Sequence, residues 1–113
     1  MVDHVEASRA VAYLIDSANE YATAQATKGR AENMLRVIKS LAMKASGEKS
    51  ASGQEREAYA SEQYQAAVDD VFTATKDAER LRALRDGAKM KIEFWRSVNS
   101  GLRAAERGFG SAS

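Results

Sequence analysis

The chain has 113 residues, 44% of them hydrophobic, and a formal net charge of +1, which suits one folded domain and argues against a simple polycation. It contains neither cysteine nor proline, so a disulfide framework and thiolate metal sites are excluded and the strongest helix breaker is missing. No apolar run approaches the ~20 residues that cross a bilayer, and the acidic opening MVDHVEASRA lacks the order of a signal peptide, so a cytoplasmic protein with no membrane partner is expected.

A first helix is expected over about residues 3–45. Asp3 and Glu6 have the spacing of a capping box. From there a stripe of mostly small and apolar residues advances at alternating steps of four and three: Ala10, Leu14, Ser17, Tyr21, Ala24, Lys28, Ala31, Leu35, Ile38, Ala42 and Ala45. That rhythm lays them along one side of a helix. Gly29 costs ~1 kcal/mol inside it and is the place where a kink would turn two helices into three. Gly47 marks the C-cap, with Lys39, Lys44 and Lys49 near the negative end of the dipole.

The small, polar segment 46–53 reads as a loop. A second helix is expected over about residues 54–107, opened by the capping spacing of Ser52 and Glu55. Its stripe runs Tyr64, Ala67, Val71, Ala74, Ala78, Leu81, Arg85, Ala88, Ile92, Trp95, Asn99 and Leu102. Gly108 and Gly110 end it, leaving residues 108–113 as a tail.

Charge order predicts how the helices pair. If the chain doubles back at the loop, facing residues have numbers adding to roughly 100, as in an antiparallel hairpin. The basic segment 28–49 then meets the acidic segment 53–70, and Asp3, Glu6, Asp16 and Glu20 meet the basic residues from Arg80 to Arg96. Exposed pairs contribute only ~0.2–1 kcal/mol each, so they set register more than stability. Within the seam, Arg85 falls opposite the region of Asp16, where it either forms an ion pair or snorkels its head to solvent. Lys28 and Asn99 either specify a partner or mark seam edges.

Chemistry-bearing groups are few. His4 is the only histidine and sits in the expected first turn. Asp69 and Asp70 point about 100° apart on a helix and read as a solvated face, not a cation site. Neither GxxxxGK[ST] nor GxGxxG occurs. A non-enzymatic chain with no cofactor and no metal is expected. The last third is net basic, with Lys76, Arg80, Arg82, Arg85, Lys89, Lys91, Arg96, Arg103 and Arg107, and with Phe94, Trp95 and Phe109 for stacking. This reads either as a solvated helix face or as a nucleic-acid contact. Arg96, Arg103 and Arg107, beyond the reach of the first helix, are the candidate contact residues.

The strings QEREAYA at 54–60 and EFWRSVNSGLRAAER at 93–107 together resemble a group of small bacteriophage and prophage helical proteins. These have unassigned function, carry a REAYA … WRS pattern, and are often encoded among DNA recombination or replication genes. The resemblance covers Gln54 to Arg107 and only loosely the first helix. Arg56, Glu57, Tyr59, Trp95, Arg96 and Ser97 are the matching positions. It implies an accessory protein of viral DNA metabolism, acting in the host cytoplasm through an unidentified protein partner. Arg56, Glu57 and Tyr59 read either as helix-start residues, with Tyr59 under the loop, or as a contact surface beside it.

The expected fold is all-α: a long antiparallel helical hairpin, coiled-coil-like, with a seam of Leu14, Tyr21, Leu35, Ile38, Val71, Leu81, Ile92, Trp95 and Leu102. Val11, Met34, Leu41, Phe72, Leu84 and Val98 widen the stripe beyond what one facing helix covers. Dimerisation into a four-helix bundle is therefore expected. Direct nucleic-acid binding and inhibition of a host defence enzyme are the alternative functions.

Overall fold

A computed structural model of the chain describes residues 2–112, with side chains described through residue 108. It is all-helical, and no strand occurs among the described residues. The order is α1 (His4–Asp16), α2 (Ala18–Ala45), α3 (Ala51–Ala60) and α4 (Glu62–Ala112). The helices form two compact units. In the terminal unit, the residues up to Asn19 pack with those from Leu81 onward; the central unit spans Glu20–Arg80.

The start of α1 follows its sequence signal, since the Asp3 carboxylate accepts from the Glu6 amide at 2.8 Å and satisfies one of the orphan donors of the first turn. The expected unbroken helix over 3–45 is interrupted, at Ser17 and not at Gly29. The Ser17 hydroxyl donates at 2.6 Å to the Tyr13 carbonyl, which also keeps the Ser17 amide at 2.9 Å; such back-bonding slightly destabilises and bends a helix. Gly29 lies inside α2 with no heavy atom close to where a Cβ would stand.

Beyond Ala45, Gly47 takes φ 75°, a left-handed conformation that glycine adopts at no steric cost. The connection is shorter than the expected 46–53, because Ser50 and not Ser52 is the N-cap of α3. Its extended backbone lets the hydroxyl accept from the Gly53 amide at 3.0 Å. A Cβ on Gly53 would lie 2.9 Å from that hydroxyl, so a side chain there would make the cap shift.

The expected helix over 54–107 is interrupted at Ser61, whose ψ of 146° is extended. Its hydroxyl donates to the Ala58 carbonyl at 2.7 Å and accepts from the Tyr64 amide at 3.2 Å. One serine thus closes α3 and caps α4, while Gln65 Nε2 donates to the Tyr59 carbonyl at 3.0 Å. At the far end, α4 does not stop near Arg107 but continues to Ala112. Gly108 and Gly110 each cost the helix at most ~1 kcal/mol, which weakens its end without stopping it. Of the expected tail, Ser113 lies outside the described residues.

Both units are seamed by the stripe residues. Ala24, Ala58, Ala67 and Ala78 are buried in the central unit, and Ala7, Ala10, Leu81 and Ala88 in the terminal unit. Tyr21, Leu35, Ile38 and Val71 in the former, and Leu14, Ile92 and Trp95 in the latter, are half-buried. Leu102 does not join the seam; it is 57% exposed, because α1 starts at His4, whose ring lies against Trp95. Pairing is antiparallel within each unit: Lys39 meets Glu55 and Tyr59, while Leu14 and Ser17 meet Arg85. An alanine-rich seam gains little burial per residue, at ~25 cal/mol per Å² of apolar surface. The larger side chains are left beside it.

Candidate interaction surfaces

In the central unit, Lys39 of α2 is the hub of a small polar cluster with α3. Its ammonium donates to Glu55 Oε1 at 2.9 Å and to the Tyr59 hydroxyl at 2.9 Å, and it lies 4.7 Å from the Tyr59 ring centroid. Tyr59 in turn meets Tyr64 edge-on at 5.2 Å. The hydrogen bond to Tyr59, and then that to Glu55, hold the Lys39 ammonium above its usual 10.5. Tyr59 therefore does not sit under the loop. Successive helix positions differ by ~100°, so Glu57 and Tyr59 leave α3 on opposite sides. Glu57 lines a groove with Ile38 and Leu41, and Arg56 is exposed. The structure does not gather Arg56, Glu57 and Tyr59 on one surface.

Two open grooves flank α2 on the Glu57 side and share Ile38. One, of about 560 Å³, runs past Leu41 and Ala45 to Glu57 and Gln63; the other, of about 630 Å³, passes between Arg30 and Met34 of α2 and Asp70 and Ala74 of α4. Met34, Leu41, Val68 and Phe72 are exposed, Phe72 to 70%.

In the terminal unit, Arg85 does not snorkel its head to solvent. Its guanidinium donates to the Leu14 carbonyl at 2.8 Å and to the Ser17 hydroxyl at 2.7 Å. In an unbroken helix that carbonyl would accept from the amide of residue 18, so Arg85 occupies the acceptor at the interruption. Asp16 itself is exposed. Nearby, the Tyr13 hydroxyl is buried without a hydrogen-bond partner, beside a groove that includes Gly87 and Ala88.

The candidate nucleic-acid residues divide. Arg96 pairs with Glu93 at 3.0 Å and Arg80 with Asp77 at 3.1 Å, while Arg85 is turned into the seam. The Trp95 ring is tilted against His4 at 5.6 Å, which removes it from the stacking set. Phe94 is exposed, and the Phe109 side chain lies outside the described residues. Residues 100–108, Arg103 and Arg107 among them, are all exposed. Among the described residues there is no group of three His, Cys, Asp or Glu able to hold a metal, and no helix long and apolar enough to cross a membrane.

The Arg85 latch and the Lys39 cluster were not read as such from the sequence. Arg85 carried a signal as a cation on an apolar stripe, whereas Lys39 was visible only as one of several lysines near a helix end. Compared with known proteins, the chain matches no family model, no curated protein and no solved structure.

Proposed function

We propose that the chain is a non-enzymatic, self-associating helical protein that works through protein–protein contacts, as an accessory factor of bacteriophage DNA recombination or replication. The observation that carries the protein-contact reading is the pairing of alanine-rich seams with large apolar side chains left in solvent. Val68 and Phe72, four residues apart on one side of α4, are 37% and 70% exposed. Exposed apolar patches of this kind mark interaction sites. The setting rests on the REAYA … WRS resemblance. Dimerisation into a four-helix bundle belongs to the same reading, since a second pair of helices supplies the missing cover.

The test is affinity capture with the tagged chain from cells expressing phage recombination and replication genes, run beside a Val68→Asp, Phe72→Asp variant. One specific partner, lost with the variant, is expected. Capture of none by the wild-type chain contradicts the reading.

A second reading, direct nucleic-acid binding, is favoured by the uniform exposure of residues 100–108. It requires an affinity that falls steeply with salt and that drops when Arg96, Arg103 and Arg107 become alanine. A flat titration at low salt eliminates it.

A further inference from the structure

We infer that a second copy of the chain seats on the Met34–Leu41 side of the central unit, with α2 of each copy lying antiparallel against α4 of the other. This rests on the self-associating reading above and adds the surface and the register.

Area is the first argument. The chain exposes 8334 Å², whereas a folded monomer of its 12.3 kDa mass is expected to expose about 6,100 Å². The excess, about 2,200 Å², is spread along the whole chain, and a stable interface needs ~800 Å² of it from each partner.

Shape is the second. The two grooves that meet at Ile38 have small residues on both walls, Ala31 and Ala42 on α2 and Ala67 and Ala74 on α4. Met34 and Leu41 stand beside them, 44% and 60% exposed. They are two helical turns apart, the spacing at which knobs from one helix enter the holes of another. A face that carries both knobs and holes fits itself under a two-fold rotation.

Charge is the third. Arg30 borders the groove on α2, whereas Asp70 borders it on α4 and Glu57 on α3. Placing α2 against the other copy's α4 sets Arg30 beside Asp70 in both halves of the dimer; placing α2 against α2 sets cation against cation. Opposed like charge disfavours that alternative.

The experiment is sedimentation of the full chain at micromolar concentration, with circular dichroism confirming that each variant keeps its helix content. Wild type is expected to be a dimer, and Met34→Glu, Leu41→Glu a monomer. Arg30→Glu and Asp70→Arg are each expected to weaken the dimer at least ~10-fold, and a one-to-one mixture of the two to recover it, since every 30–70 contact between copies is then opposite in sign. A dimer indifferent to these variants overturns this seat while leaving self-association intact. Loss in the single variants without recovery in the mixture overturns the α2-on-α4 register. A monomeric wild type overturns both the seat and self-association, and the Phe72 capture experiment still decides the partner reading separately.

Discussion

Arg85 of α4 donates to the main-chain carbonyl of Leu14 at 2.8 Å while also holding the Ser17 hydroxyl at 2.7 Å, so a cation on one helix satisfies the interruption of another. Replacing Arg85 by Met leaves a buried hydroxyl and a freed carbonyl without that donor, at an expected cost of ~1–3 kcal/mol. Ser17→Ala combined with Arg85→Met should cost less than the sum of the two, with a coupling of ~0.5–3 kcal/mol in urea denaturation. Strict additivity would show that the contact contributes nothing.

The Tyr13 hydroxyl is buried and unpartnered. Tyr13→Phe keeps the ring and removes the stranded donor, so stability is expected to rise by about 1 kcal/mol, part of the ~1–3 kcal/mol that an unsatisfied buried group costs. The thermal midpoint checks this; a fall would mean that the hydroxyl contributes to folding.

Two glycines give opposite expectations. Gly29→Ala adds a methyl where nothing stands within 4 Å and should stabilise α2 by ~0.5–1 kcal/mol through helix propensity. Gly53→Ala gains the same propensity but drives a Cβ to 2.9 Å from the Ser50 hydroxyl, disturbing a cap that contributes ~0.5–2 kcal/mol. It should be neutral or destabilising, and equal melting shifts for the two variants would refute the steric account.

Stability at high pH reports on Lys39. Its ammonium is held above 10.5 in the folded chain, first by Tyr59 and then by Glu55, so the charged form is favoured by folding. That contribution is complete below 10.5 and is lost as pH rises through the folded value. Denaturant midpoints of wild type should fall above pH 10.5 more steeply than those of Lys39→Met. Parallel curves would rule the linkage out.

The stripes were legible in the sequence: of their members, only Ala45 and Leu102 are exposed in the structure, since burial follows the helical period directly. The pairing sense was legible too, through the sign order that brings Lys39 to Glu55. Helix interruptions were not. Glycine is the residue propensity points to, yet α2 passes through Gly29 while serines mark the breaks. The reason is hydrogen bonding, because Ser17 and Ser61 each return a hydroxyl to a carbonyl of the preceding turn, and at Ser17 the arrangement also draws on an arginine far along the chain. Ser52 misled for a related reason: the cap went to Ser50, whose neighbour three residues on has no side chain to block it. The contact residues were legible as types and not as a place, since Glu57 and Tyr59 are close in sequence and opposite on α3.

The interruption at Ser17 also governs how order spreads along the chain. Cooperativity in a helix passes from one turn to the next through consecutive main-chain bonds, and α1, with 13 residues, is at the length where an isolated helix is marginal in water. Joined to α2 through the single residue Ser17, it draws its persistence from the groove wall of Leu84 and Ala88 and from the Arg85 contact. Amide protons of α1 should therefore exchange with solvent as one block, ahead of those in α2, and their protection measures the grip of α4 on the chain's first helix.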